Sequence, residues 1–437
     1  MISRPERSII LSFIVASLIG AFLLILPVSS SGRSISFIDA LFTATSAVCV
    51  TGLTVLDIGR DLSKFGQSVV LILIQAGGLG IMTISTMFIV MMGKRPSLKD
   101  RIAVHDTLFP RPERRGFPSI IKGIAALTLI AETTGFLLLF IFFFFIQKCS
   151  FLNALYFSLF HSISAFCNAG FSLFSDSFIR FQRSFFFNLT VCLLIISGGI
   201  GFLVISEIKE KKRFSSLSLH SKIAITTTLI LLLSGTAIIT LMEWKNTLKG
   251  LPVPYKILAG FFQSTTARTA GFNTVPIEDM TNATLFFLIL LMFIGASPGS
   301  CGGGIKTTTF ASILLLGISR LRGYEYPHAF RRTIAKETIA KSISIVMIST
   351  AVVISGLMLL LISESDKGFL NLMFETISAF GTVGLSTGIT PDLSCTGKLI
   401  LIFIMIIGRV GPLAIAIAIS RQEVKRYYYA EEQIMVG

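Results

Sequence analysis

Four short segments of this chain align on one another without a gap, and they constrain the fold more than any other feature. They cover residues 37–53, 155–171, 256–272 and 370–385 and register on Gly52, Gly170, Gly271 and Gly384. Ten residues before each glycine stands a phenylalanine (Phe42, Phe160, Phe261, Phe374), and six before it a small hydroxyl residue (Ser46, Ser164, Thr265, Ser378). Leu or Phe follows every time. One such glycine reads as an ordinary turn or a helix–helix contact. Four in register, with matching columns around them, mark an internal repeat.

Each segment lies between longer apolar blocks, at 9–27, 68–92, 124–146, 185–205, 223–242, 285–295, 343–362 and 399–420. Most approach the roughly 20 residues that cross ~30 Å of hydrocarbon. The chain is 53% hydrophobic and only 14% charged, whereas a soluble domain carries about a quarter charged residues. The repeated segments offer only ~12 apolar or small residues before their glycine, which fits a re-entrant hairpin rather than a span. The reading is an all-α membrane protein: four parallel repeats of outer helix, pore loop and inner helix around a central pore, with eight transmembrane helices. Two crossings per repeat start every repeat on the same side. Arg4 and Arg7 before the first block suggest a signal peptide, but its ~19 apolar residues exceed the usual h-region of about 7–15. It is read as a retained first helix.

The net charge of +15 follows from topology. The stretches 1–8, 93–122, 207–222, 318–341 and 421–437 hold 24 of the 38 Lys and Arg residues, and the alternate loops hold 12. Lys and Arg excess marks the cytoplasmic side. Both termini are therefore expected in the cytosol, the chain in the plasma or inner membrane, and no nucleic-acid partner is needed. The division that results is 1–92 for the first repeat, a cytosolic linker at 93–118, the second repeat at 119–206 and a linker at 207–219. The third repeat follows at 220–317, then a linker at 318–341, the fourth repeat at 342–420 and a tail at 421–437. The six cysteines form no C-x-x-C pair and only four histidines occur, so a zinc site is not expected.

Non-helical backbone at membrane depth persists only where protein buries it or water lines it. Four such loops on one axis present rings of carbonyls, which can replace the hydration shell of a bare K⁺. The half-helix before each loop aims its partially negative C-terminal end at the same point. The candidate ion-binding residues are Val50, Thr51 and Gly52; Asn168, Ala169 and Gly170; Thr269, Ala270 and Gly271; and Thr382, Val383 and Gly384. No covalently bound cofactor is expected; K⁺, or else Na⁺, is the expected transported ion.

A second glycine cluster follows each of these glycines by 24 to 28 residues, at Gly77, Gly198, Gly295 and Gly408. The third is exceptional: residues 295–306 hold five glycines and Pro298. Such composition cannot keep a helix, so the third inner helix is expected to break in mid-membrane, across the ion path. Gly299, Ser300, Gly302, Gly303, Gly304 and Lys306 are the candidate gate, set against the plainer reading of a kinked helix. Ile305 between Gly304 and Lys306 rules out a phosphate-binding loop. Lys306 points either into the path or toward the cytosolic mouth.

Arg409 lies near the middle of the last apolar block. A guanidinium at that depth costs at least roughly 2.5 kcal/mol, so a function or partner is the default inference. Arg409 is read as a positive barrier holding a closed state. Glu132 either bonds helices around the loops or is a satisfied core carboxyl. Arg268, inside the third segment, would repel a cation if it faced the path and is read as pointing back behind the loop. His161 is read as a packing residue.

The phrases at 45–53, 266–274 and 380–389, with the ending at 407–413, resemble the Trk/Ktr/HKT superfamily of K⁺ transporters nearly from end to end. The compact length is closest to the bacterial Ktr-type membrane subunit. The resemblance implies that 295–306 is an intramembrane gating loop, that Arg409 stands close to it below the filter, and that Gly52 confers K⁺ preference, since relatives with Ser there carry Na⁺. It also implies a homodimer and a separate cytosolic ring that binds nucleotides. The alternative kept open is a Na⁺-coupled or Na⁺-permeable carrier. A voltage-gated channel lacks its helix of regularly spaced Arg or Lys. An enzyme lacks paired carboxylates or any nucleophile–base pair in the membrane.

Overall fold

The computed structural model describes residues 5–32, 34–80 and 117–419, and among them it contains fifteen α-helices and one short β-hairpin, His328–Ala329 with Arg332–Thr333. The linker 93–118, but for its last two residues, and the tail 421–437 lie outside the described residues.

Each quarter gives the same succession of elements. The first has α1 (Pro5–Ile25), α2 (Phe37–Val48) and α3 (Lys64–Leu79). The second has α4 (Phe117–Ile141), extended by a π turn at Phe142–Ile146, then α5 (Phe151–Phe166), α6 (Phe185–Ile200) and α7 (Phe202–Lys211). The third has α8 (Leu219–Met242), α9 (Val253–Thr266), α10 (Asn282–Phe293) and α11 (Thr307–Leu321). The fourth has α12 (Lys336–Ser363), α13 (Phe369–Gly381), α14 (Cys395–Val410) and α15 (Pro412–Ile419). Among the described residues, four spans are long and apolar enough to cross a bilayer by themselves: Arg7–Ile25, Ile121–Ile146, Leu219–Met242 and Lys336–Ser363. They expose Leu11, Leu129, Leu233 and Met347, an outer surface suited to hydrocarbon rather than water.

Hydroxyl caps start the inner helices. Ser63, Ser184, Thr281 and Ser394 each accept, through the side-chain oxygen, the N–H of the residue three positions on, at 3.3, 3.3, 3.3 and 3.1 Å. A cap of this kind stabilises a helix by about 1 kcal/mol. Glycines end three of these helices. Gly80, Gly201 and Gly411 have φ of +82°, +94° and +99°, conformations an L side chain resists. At Gly201 the axis turns by 96° into α7. The sequence reading breaks only the third inner helix. The structure interrupts the second and fourth as well, because each carries one left-handed glycine where the third carries a whole loop.

The quarters close into a circle. α3 packs on α5, α6 on α9, α10 on α13 and α14 on α2, so each inner helix sits on the short helix of the next quarter. Lys398 at the start of α14 bonds Asp39 of α2 at 2.8 Å. The phenylalanine column lies in the core: Phe42, Phe160 and Phe374 are fully buried, and Phe261 is partly so.

Candidate functional site

The C-terminal ends of α2, α5, α9 and α13 deliver their loops to a common centre. Two residues before each glycine, Val50, Asn168, Thr269 and Thr382 take positive φ of 55°, 59°, 77° and 49°. The glycines follow at 91°, 71°, 77° and 90°. A non-glycine residue held there costs on the order of 1–3 kcal/mol, so four in register persist only because their surroundings enforce them. The hydroxyl column supplies part of that support. Ser46 and Ser378 accept the N–H of Gly52 and Gly384, each at 3.1 Å, and Ser164 donates to the Phe171 carbonyl at 2.8 Å. Thr265 instead turns back to the Phe261 carbonyl of its own helix.

The four glycines form a closed ring. A methyl group placed on Gly52 would lie 2.6 Å from the Ala169 carbonyl oxygen, and one on Gly170 3.0 Å from that of Ala270. One on Gly271 would lie 2.5 Å from the Val383 oxygen, and one on Gly384 would strike that of Thr51. Absence of a Cβ is what lets the strands approach. None of the carbonyls of residues 50–52, 168–170, 269–271 and 382–384 accepts a hydrogen bond among the described residues. All of these residues except Gly170 are buried. A buried polar group without a partner costs about 1–3 kcal/mol.

On one side of the ring opens a cavity of about 530 Å³, lined by the four glycines and by residues that follow them, such as Ser172 and Thr387. Asp57, Asp176 and Glu278 face it, and no Lys or Arg does among the described residues. On the other side lies the stretch between α10 and α11. Gly303 donates its N–H to the Thr382 hydroxyl at 2.9 Å, and Gly302 presses on Thr269, so this stretch lies directly behind the ring. The second glycine clusters are where it rests. Ser297 and Cys301 donate N–H groups to the Gly199 and Gly198 carbonyls at 3.0 and 3.1 Å, and Gly304 donates to that of Gly408 at 3.3 Å. Gly299 accepts from Phe202 at 3.0 Å, and the Ser300 hydroxyl donates to the Ser297 carbonyl.

Arg409 joins this assembly from the end of α14. Its guanidinium donates to the Cys301 carbonyl of the loop and to the Gly77 carbonyl of α3. Lys306, at the start of α11, curls back to donate to the Gly302 carbonyl. Arg268 is buried and reaches outward to the Thr228 hydroxyl on α8 at 3.2 Å, behind the loop. Glu132 accepts from the Gln75 amide at 2.9 Å, and the Cys167 thiol donates to the same Gln75 at 3.6 Å. The Asn168 amide stands 3.4 Å from the Thr269 hydroxyl. The parts played by Gln75 and by the resting glycines escaped the sequence reading. Their register, one cluster per quarter at nearly equal offset, was the available signal.

A bundle with several helices apolar enough to cross a bilayer, together with the sequence family it matches, gives the class: a multi-pass membrane transporter of cations. The chain belongs to the TrkH family of cation transport proteins, whose sequence model matches residues 3–426. It is 40% identical over 435 residues to Ktr system potassium uptake protein B of Bacillus subtilis, covering 99% of this chain and 97% of the relative. It is 42% identical to the protein of the same name from Vibrio alginolyticus, covering 99% and 94%. Potassium/sodium uptake protein NtpJ of Enterococcus hirae is 36% identical over 99% of this chain and 97% of its own length. The crystal structure of the potassium transporter TrkH from Vibrio parahaemolyticus shares the fold, with a TM-score of 0.74 at 18% identity over 95% of this chain and 84% of that one. The family transports cations and is not a family of enzymes.

Proposed function

We propose that the chain takes up K⁺ across the cell membrane through a filter formed by the four loops. The observation that carries this reading is the closed ring of loop carbonyls, none of which accepts a hydrogen bond among the described residues. Such a ring offers a dehydrated cation the oxygens that water supplied before. Two relatives named potassium uptake proteins support K⁺ as the cargo. The carboxylates of the cavity concentrate cations at the outer mouth. In this reading the four quarters are parallel repeats with eight crossings, both termini lie in the cytosol, and the linkers join the repeats there. Residues 295–306 form the gate, held shut beneath the filter by Arg409 and braced by Lys306. A homodimer and a cytosolic nucleotide-binding ring complete the assembly, an inference that rests on family resemblance.

Growth of a K⁺-uptake-deficient bacterium at low K⁺ tests this, comparing the wild type with Gly52→Ser. The serine Cβ would have to sit at φ +91° against the Ala169 oxygen. Rescue by wild type and loss of K⁺ preference in the variant are expected; equal rescue by both removes the filter assignment. A Na⁺-permeable carrier is the second reading, favoured by the relative named for potassium and sodium uptake. Uptake of ²²Na⁺ as fast as ⁸⁶Rb⁺ by the wild type would select it.

A further inference from the structure

Two buried polar side chains on the short helices are used by nothing above, and they share one column. Glu375 of α13 stands nine residues before Gly384, and His161 of α5 nine before Gly170. Both are fully buried. Each reaches past its own loop to the same place beyond the ring. Glu375 Oε1 accepts from the backbone N–H of Thr387 at 3.0 Å and from the Ser386 hydroxyl at 2.6 Å, and Oε2 accepts from the Thr390 hydroxyl at 2.8 Å. His161 Nε2 accepts from the backbone N–H of Leu173 at 3.2 Å and lies 3.3 Å from the Ser172 hydroxyl. Its Nδ1–H donates to the Phe157 carbonyl at 2.7 Å, which settles the tautomer. In both quarters the N–H so held belongs to the third residue after the ring glycine. Ser172, Ser386 and Thr387 line the cavity at the mouth. In the other two quarters the column holds Thr43, whose hydroxyl finds no partner among the described residues, and Phe262. Around the ring, Gly170 and Gly384 are opposite one another, so the braced loops face each other across the centre.

We propose that Glu375 and His161 are positioning residues that set discrimination between cations. They anchor the outer shoulders of two opposed loops, so the ring cannot adjust to the shorter oxygen distances a smaller cation requires. This rests on the pore reading above, because selectivity depends on the spacing and field of the coordinating carbonyls. What matters is that Glu375 accepts through both of its oxygens, from the Thr387 N–H and from two hydroxyls.

Wild type and variants reconstituted into phosphatidylethanolamine–phosphatidylglycerol vesicles, with ⁸⁶Rb⁺ and ²²Na⁺ influx measured separately, test it. Glu375→Gln keeps the volume but leaves one acceptor oxygen where the carboxyl offers two, and a fall in the Rb⁺/Na⁺ ratio of about tenfold is expected, equal to about 1.4 kcal/mol. His161→Leu shifts the ratio the same way, and His161→Gln, which restores an acceptor near the Nε2 position, recovers part of it. Glu243→Gln separates stability from selectivity. Glu243 is a buried carboxylate bound by Thr247, Thr281 and Thr284 and makes no bond to the four loops, so its variant lowers thermal stability with the ratio unchanged. Should Glu375→Gln fail to fold, Ser386→Ala, which removes one of its donors, shifts the ratio in the same direction. Folded Glu375→Gln or Ser386→Ala, together with folded His161→Leu, at the wild-type ratio overturns the braces and leaves the pore standing. A wild type that moves neither ion overturns both.

Discussion

Replacing Arg409 by alanine should open the pathway. The guanidinium holds the loop to α3 with two bonds, to the Cys301 and Gly77 carbonyls. A hydrogen bond to a charged group contributes about 1.5–3 kcal/mol. Both carbonyls can turn to water once the loop swings away, so we take about 2–3 kcal/mol for the pair rather than the full sum. That corresponds to a rise of about 30- to 150-fold in the ratio of open to closed protein. Removing a fixed positive charge behind the ring adds to the effect, since it repels an arriving cation. The assay is ⁸⁶Rb⁺ influx into vesicles holding matched amounts of folded wild type and Arg409→Ala, with no cytosolic partner added. Arg409→Lys keeps the charge but cannot fork to two carbonyls, and an intermediate flux is expected. Influx through Arg409→Ala equal to that of wild type would refute the reasoning, and reduced influx would reverse its sign.

Three further outcomes follow from the geometry. Gly198→Ala should fail to insert stably or should melt many degrees lower, because a Cβ there collides with the Phe166 carbonyl; Gly317→Ala, with open space around it, should gain up to ~1 kcal/mol in a thermal-shift measurement in detergent. The double variant Asp57→Asn, Glu278→Gln should slow uptake a few-fold at low ionic strength, and the difference should vanish near 0.15 M salt, where the Debye length is about 8 Å. Phe374→Ala should cost more thermal stability than Phe261→Ala, since the first is fully buried and the second only partly.

Much of this was legible in the chain because packing and backbone strain act on single residues in fixed register. Gly52, Gly170, Gly271 and Gly384 stand where no Cβ fits, so the column could not drift. Phe42, Phe160 and Phe374 are buried at equivalent positions, and the hydroxyls of Ser46 and Ser378 hold equivalent N–H groups. The glycines and proline at 295–306 announce a break by composition alone. The breaks at Gly201 and Gly411 did not show, since one glycine in an apolar run reads equally as helix. Nor did the bonds of Arg409, whose acceptors are 108 and 332 residues away. Glu375 and His161 were hidden for a different reason: they do one job with two chemistries, and a column that holds Thr, His, Phe and Glu looks unconserved until the bonds are seen.

The circular seating of each inner helix on its neighbour has a consequence for biogenesis. The last inner helix completes a contact begun by the first short one, and the bond between Lys398 and Asp39 joins residues 359 apart. At about 5–20 residues per second, the ribosome needs roughly 20–70 s to make that stretch. In the pore reading proposed above, the earlier loops spend that interval at membrane depth with backbone oxygens that hydrocarbon cannot satisfy. Insertion machinery or a chaperone has to shelter them until release. A nonsense codon in the final quarter would therefore do more than shorten the product: it would strand three unfinished hairpins in lipid, where membrane proteases find their substrates.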